Sequence, residues 1–163
     1  MARRLAEEES SRVWEQFERR LTAFDGGPEP LPRWEAVHQH DYCAYPGGFT
    51  ARWLVAAQYL PDESLLSAIR EGMERLSEPA LYFLARECAE GDEANGLDRE
   101  VSLPELTSET LAAISPGFEC WLYSVSDAWA IYLHHEGFAF CGGGPEFIGA
   151  IKAHRPGIRV GNG

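Results

Sequence analysis

The sequence predicts an α+β fold, in which a helical N-terminal and middle part is followed by a small antiparallel meander and a final helix. The first observation is a change of period: apolar residues recur every three or four positions up to Gly91 and alternate after Phe118. The second is that Gly and Pro residues fall between these segments, where the chain must turn. A chain of 163 residues can bury one substantial core, so we expect a single domain over 1–163.

Residues 3–24 form the first predicted helix, and Gly26 and Gly27 end it. Its apolar side chains are spaced three, four and three positions apart and are Trp14, Phe17, Leu21 and Phe24. This stripe either packs on the body of the domain or, with residues 1–25 extending from that body, makes a homodimer contact. A connector over 28–32 follows, because the sequence PEPLP cannot continue a helix.

The middle of the chain is predicted to be mostly helical. Residues 34–48 read as an aromatic-rich loop, and residues 92–106 as a polar surface loop broken by Gly96 and Pro104. Four helices are predicted: residues 49–60, the stretch from Leu65 to Leu76 with Asp62 as N-cap, residues 77–91 with Pro79 in the first turn, and residues 108–114 capped by Thr107 or Ser108.

The last quarter predicts an antiparallel meander that leads into a helix. Apolar and polar positions alternate through WAIYLH, and the flanking segments CWLYSV and FAFC are rich in residues that favour strands. Residues 126–127 and 136–137 supply turns of hairpin length. Residues 142–144 then lead into a helix that begins at Pro145 and ends before Pro156. We interpret this glycine-rich turn as a strand-to-helix connection, because it lacks the spacing and the lysine of a phosphate-binding loop.

Net charge and hydropathy disfavour several classes of function. The formal charge is −12 and the pI is near 4.8, so the field of the protein repels nucleic-acid backbones and anionic membranes and attracts a basic partner. No apolar run approaches the ~18 residues of a membrane-spanning helix. The N-terminus turns acidic at Glu7 without an apolar signal region, which indicates a cytoplasmic protein of a bacterial type of gene.

The densest group of reactive side chains lies in the loop over 34–48. His38, His40, Asp41 and Cys43 are each able to bind a metal, and His134 and His135 could join them. The spacing HxHDxC matches no established zinc pattern, and the same residues could instead place a Cys43 nucleophile beside a histidine base.

The other cysteines lie in apolar segments and read as core thiols: Cys88, Cys120 and Cys141. The alternative is a disulfide between neighbouring strands. No catalytic residue is predicted, because the common hydrolase, zincin and calcium-binding patterns are absent, and no cofactor is expected.

The number of aromatic side chains predicts a surface that binds a protein. A three-stranded meander under one helix leaves a face open, so we expect some of the surplus aromatic side chains to remain at the surface near acidic residues. These aromatic residues are Trp34, Tyr42, Tyr45, Trp121, Tyr123 and Tyr132. Acid and base catalysis by those acids is the less favoured interpretation. The predicted partner-binding residues are Trp34, Tyr42, Tyr45, Glu119, Tyr123, Asp127, Tyr132 and Glu136.

The segment WAIYLHHEGFAFCGGGPEFIGAIKAH resembles the closing hairpin, glycine-rich turn and helix of several bacterial toxin-immunity families. The resemblance covers about the last quarter of the chain. It implies inhibition of a cognate toxin by surface complementarity, with no catalytic residue. The leading hypothesis is therefore a non-enzymatic, acidic interaction module, and the alternative is a metal- or cysteine-dependent enzyme that uses the loop over 34–48.

Overall fold

The computed structural model describes residues 2–19, 21–22, 31–32, 41–44, 60–85, 96–115, 117, 120–133, 139–154 and 159–162. Side chains are described for residues 2–19, 60–85, 96–115, 117, 120–133 and 141–154.

Strands and helices are interspersed along the described residues, which confirms the α+β class. The helices are α1 (Glu7–Glu18), α2 (Glu63–Arg75), a short 3-10 helix (Leu103–Glu105), α3 (Ser108–Ile114) and α4 (Pro145–His154). The strands are β1 (Arg3–Arg4), β2 (Leu21–Thr22), β3 (Leu31–Pro32), β4 (Asp41–Ala44), β5 (Ala80–Leu84), β6 (Arg99–Ser102), β7 (Cys120–Ser124), β8 (Trp129–Leu133), β9 (Ala139–Gly143) and β10 (Arg159–Asn162).

A single eight-stranded sheet organises the fold, with the order β1-β6-β5-β7-β8-β9-β4-β10 and antiparallel pairing throughout. The short strands β2 and β3 pair with each other separately. The predicted meander is confirmed as β7-β8-β9. It is not a small sheet of its own, however, because it forms the centre of a wider one.

The order of elements differs from the prediction in the middle of the chain. The helix predicted over 77–91 is wrong over 80–84, where the apolar run ALYFL forms β5 between β6 and β7. A short, continuously apolar run fits a buried strand as well as a helix, and pairing on both sides decides the outcome. The loop predicted over 92–106 is also wrong over 99–102, which forms β6.

The N-terminal helix is shorter than predicted, because Arg3 and Arg4 pair with β6 and Leu21–Thr22 pairs with β3. Within the predicted loop 34–48, residues 41–44 form β4. The helix predicted over 49–60 lies outside the described residues except for Leu60.

Local capping explains why three helices begin where the sequence predicts. The Asp62 carboxylate accepts a hydrogen bond from the Leu65 N–H at 2.9 Å, and the Thr107 hydroxyl accepts one from the Thr110 N–H at 3.1 Å. Pro145 occupies the first position of α4, where its missing N–H is of no consequence. These three predictions are confirmed.

The two faces of the sheet carry different cores. One face is largely aliphatic and is covered by α2 and α4, which approach closely at Gly72. A Cβ atom at Gly72 would lie 2.5 Å from a ring carbon of Phe147, and the Phe147 ring stacks on Trp129 with centroids 4.2 Å apart. The opposite face is aromatic and is covered by α1.

Candidate functional site

The aromatic face of the sheet forms a continuous cluster with the buried side of α1. Phe17 lies at its centre, with ring centroids 4.9 Å from Trp121 and 4.8 Å from Tyr123. Trp121 in turn stacks on Tyr132 at 4.4 Å, and Trp14 meets the edge of Phe17 at 5.8 Å. Such offset and edge-on contacts add to the free energy gained from burying the rings.

This burial corrects the expectation that the meander aromatics are exposed. Trp121, Tyr123 and Tyr132 are 4%, 0% and 7% exposed, so they offer no surface to a partner in this conformation. The physical reason is that two apolar surfaces, the stripe of α1 and the aromatic face of the sheet, cover each other. The stripe of α1 therefore packs on the body of the domain, and Trp14 and Phe17 are not available for a dimer contact.

A buried carboxylate, that of Asp98, fastens α1 to the sheet. One of its oxygens accepts hydrogen bonds from the Ser10 hydroxyl and from the Trp14 indole N–H, the latter at 2.8 Å. The other oxygen accepts from the Ala85 backbone N–H at 2.9 Å, and the Asp98 carbonyl accepts from the Leu5 N–H at 3.1 Å. Both carboxylate oxygens are thus occupied by groups of the protein itself.

A second buried carboxylate, that of Glu78, organises the turn between β7 and β8. One oxygen accepts from the hydroxyls of Ser124 and Ser126, and the other accepts from the Trp129 indole N–H at 2.7 Å. The Ser124 hydroxyl oxygen also accepts from the Ala128 N–H at 2.9 Å. This cluster therefore closes a turn and fixes the orientation of a core tryptophan.

The donors around Glu78 and Asp98 are groups of the protein itself. Both oxygens of each carboxylate accept hydrogen bonds within the fold, and no described histidine contacts either residue. Among the side chains that the structure describes, no group of three or more potential ligands could hold a metal ion. The polar groups buried in these ranges therefore support the fold.

Most of the sequence-predicted site lies outside the described residues: His38, His40, Trp34, Tyr45, Glu119, Glu136, His134 and His135. For Asp41, Tyr42 and Cys43 the backbone is described, as part of β4, but not the side chain. Asp127 is half-buried at a positive φ of 61° in the β7–β8 turn, where its carboxylate accepts a hydrogen bond from the Tyr123 hydroxyl. The metal and partner-binding assignments in the loop over 34–48 stay predictions.

The outward face of α1 is acidic. Arg12 is its one exposed basic residue. Four of its glutamates are exposed, namely Glu7, Glu8, Glu15 and Glu18. None of the predicted partner-binding residues lies on this face, because they were chosen among aromatic residues and among acids in or beside the meander. The signal was available in the excess of glutamate over arginine at the polar positions of α1.

Charged residues line the edge of the sheet at β1. The Arg3 guanidinium bridges Glu9 on α1 and Glu100 on β6, and this hydrogen bonding holds the pKa of Glu9 below its usual value. Arg4 lies opposite Arg99, whose pKa is lowered by burial and by the charge of Arg4. Charged side chains on such a short edge strand disfavour pairing with a further strand.

An ionic cluster joins α2 to α4 on the other side of the molecule. The Glu71 carboxylate contacts His154 Nε2 at 2.7 Å and also binds the Arg75 guanidinium. The hydrogen bonds from His154 and then from Arg75 lower the pKa of Glu71. Glu71 and His154 are half-buried and Arg75 is exposed, so the cluster joins the two helices at the surface of the domain.

Comparison with protein families, with curated proteins and with solved structures gave no match for this chain. None of the described helices is both long enough and apolar enough to cross a membrane. Function must therefore be argued from the residues and their geometry.

Proposed function

We propose that this chain is a non-enzymatic, acidic interaction module that binds a basic protein, in the manner of an immunity-type inhibitor in the cytoplasm. The observation that carries the proposal is the division of α1 into two faces. Val13, Trp14 and Phe17 are buried against the sheet, and the exposed positions are mostly glutamate. A helix held in this way presents carboxylates at fixed spacing.

Electrostatics favour a basic partner. The whole chain carries a formal charge of −12, and unlike charges across an interface speed up encounter and select partners. Because exposed charges are screened within about 8 Å at physiological salt, the local acids of α1 contribute more to docking than distant ones do. The proposed contact surface therefore centres on Glu8, Glu15 and Glu18.

The burial of the meander aromatics favours a contact surface on α1 instead of one on the meander. The buried carboxylates of Asp98 and Glu78 are already bonded within the fold. Exposed acids on α1 are thus better placed for recognition than Tyr123 or Tyr132. Aromatic residues of the loop over 34–48 remain candidates for the centre of the interface.

The test compares two charge-matched variants of the full chain. The first carries Glu8→Gln, Glu15→Gln and Glu18→Gln on α1, and the control carries three changes at exposed acids of other helices: Glu74→Gln, Glu109→Gln and Glu146→Gln. The wild-type protein is first used to capture a partner from its native host, and that partner is identified and purified. Association rates are then measured at several salt concentrations.

We expect the α1 variant to associate at least about tenfold more slowly at low salt and the control to stay close to wild type. Two results would refute the proposal. One is that no basic protein binds the wild-type chain. The other is that both variants lose affinity equally, since net charge alone would then explain the effect.

A further inference from the structure

The register of two neighbouring strands places a pair of cysteines opposite each other. Cys43 on β4 is the direct partner of Cys141 on β9, and Ala44 is the partner of Phe140 in the same ladder. On its other neighbour, β8, Cys141 lies opposite Ile131, and its side chain is fully buried. The two cysteines are far apart in sequence, so only the sheet brings them together.

Directly opposed residues of antiparallel strands have Cα atoms about 4.5 Å or about 5.5 Å apart, depending on the type of pair. Both distances lie inside the range of about 4.4–6.8 Å that a disulfide bond requires. We infer that Cys43 and Cys141 form a reversible cross-strand disulfide under oxidising conditions. This inference does not depend on the proposed function.

Peroxide is the class of oxidant that completes the reaction. One thiolate attacks a peroxide oxygen, which yields a sulfenic acid and releases water from hydrogen peroxide. The second thiolate then attacks the sulfenic sulfur, forms the S–S bond and releases a second water. Overall two thiols lose two hydrogen atoms, one peroxide is reduced to two waters, and a dithiol reductant reverses the change.

The bond would fix β4 to the meander. The bond would tie β4 covalently to β9, and the edge strand β10 is paired with β4. The disulfide would close a loop of about 100 residues, which restricts the unfolded chain strongly. We expect the melting temperature of the oxidised protein to rise by roughly 10 °C.

Cys120 provides a matched control. It is also fully buried, and it lies in β7 of the same sheet, but its partner on β8 is Leu133. Oxidation of buried thiols in general would affect Cys120 as readily as Cys141. If oxidation is specific to the pair Cys43 and Cys141, Cys120 should stay reduced.

The experiment treats the fully reduced, full-length chain with hydrogen peroxide, blocks remaining thiols by alkylation and maps peptides without reduction. We expect a peptide containing Cys43 linked to one containing Cys141, lost on addition of dithiothreitol and retained in Cys120→Ala. Cys43→Ala should abolish both the linked peptide and the rise in melting temperature. Since the linked peptide is read in the wild-type chain, the test does not depend on any variant folding. Separate alkylation of Cys43 and Cys141 after oxidation, or a link from Cys43 to another cysteine, would overturn the inference.

Discussion

Replacing Asp98 tests whether a buried carboxylate holds α1 on the sheet. Asp98 is 2% exposed and accepts three side-chain or backbone donors, from Ser10, Trp14 and Ala85. In Asp98→Asn the amide nitrogen must replace one of the two oxygens. At the position that faces Ala85 it opposes a backbone N–H. At the other it opposes the indole N–H of Trp14, while the Ser10 hydroxyl can rotate to accept from the amide, so at least one donor loses its acceptor in either orientation.

The magnitude follows from this count. Losing one charge-assisted hydrogen bond and leaving a buried donor without an acceptor costs about 2 kcal/mol, so we expect Asp98→Asn to lower the free energy of unfolding by that amount. Asp98→Ala removes all three acceptor contacts and should cost about 4 kcal/mol. In thermal unfolding, the asparagine variant should melt roughly 4–8 °C below the wild type.

Urea unfolding followed by tryptophan fluorescence and by far-ultraviolet circular dichroism measures the loss. Glu15→Gln removes an exposed acid from the same helix and should change stability by no more than about 0.5 kcal/mol. A double-mutant cycle with Trp14→Phe should give a coupling energy of about 1 kcal/mol or more. If Asp98→Asn matches the wild type, or if the cycle shows no coupling, then the packing of rings alone holds α1 and the carboxylate does not.

Two further predictions concern the contact between α2 and α4. Because hydrogen bonds from His154 lower the pKa of Glu71, ionised Glu71 stabilises the folded state above its unfolded pKa, and this is lost as the pH falls through the folded pKa. Glu71→Gln should therefore reduce stability near neutral pH, and this loss should shrink as the pH falls through the range in which Glu71 is protonated. In urea titrations, a loss that does not change with pH would exclude ionised Glu71 as the cause. Gly72→Ala should cost about 1–3 kcal/mol, because its Cβ would lie 2.5 Å from the Phe147 ring. At Gly149 the atom nearest to an added Cβ is a flexible Arg75 nitrogen at 3.3 Å, so Gly149→Ala should leave stability unchanged or raise it by up to about 1 kcal/mol. Similar losses of stability in the two variants would contradict the close approach of Gly72 to the Phe147 ring.

The parts of the fold that depend on local chemistry could be predicted from the sequence. Asp62 and Thr107 mark helix starts through hydrogen bonds to residues three positions away, and the alternation from Trp129 to Leu133 marks a strand without any knowledge of its partner. Whether residues 80–84 form a helix or a strand could not be predicted in this way. These five apolar residues fit a helix or a strand, and only pairing with β6 and β7 on both sides selects the strand.

The buried positions of Asp98 and Glu78 could not be predicted from the sequence for a related reason. Asp98 binds Trp14, 84 positions away, and Glu78 binds Trp129, 51 positions away. In the sequence each acid sits in a polar or turn-forming stretch and looks solvated. The surplus of aromatic residues was visible, but the sequence does not show that Phe17 covers Trp121, so a shared interior was mistaken for an exposed surface.

The docking of α1 also has a consequence for the proposed recognition of a basic partner. A helix of 12 residues is marginal in water on its own, so the acidic face exists as a fixed array only while Phe17 and the bonds to Asp98 hold the helix on the sheet. An array fixed before binding avoids the entropic cost of ordering carboxylates at the interface. If the proposed function is right, Asp98→Asn should weaken partner binding although it leaves every exposed glutamate in place. Unchanged binding by a variant whose α1 amides exchange faster with solvent would show that the partner recognises another part of the chain.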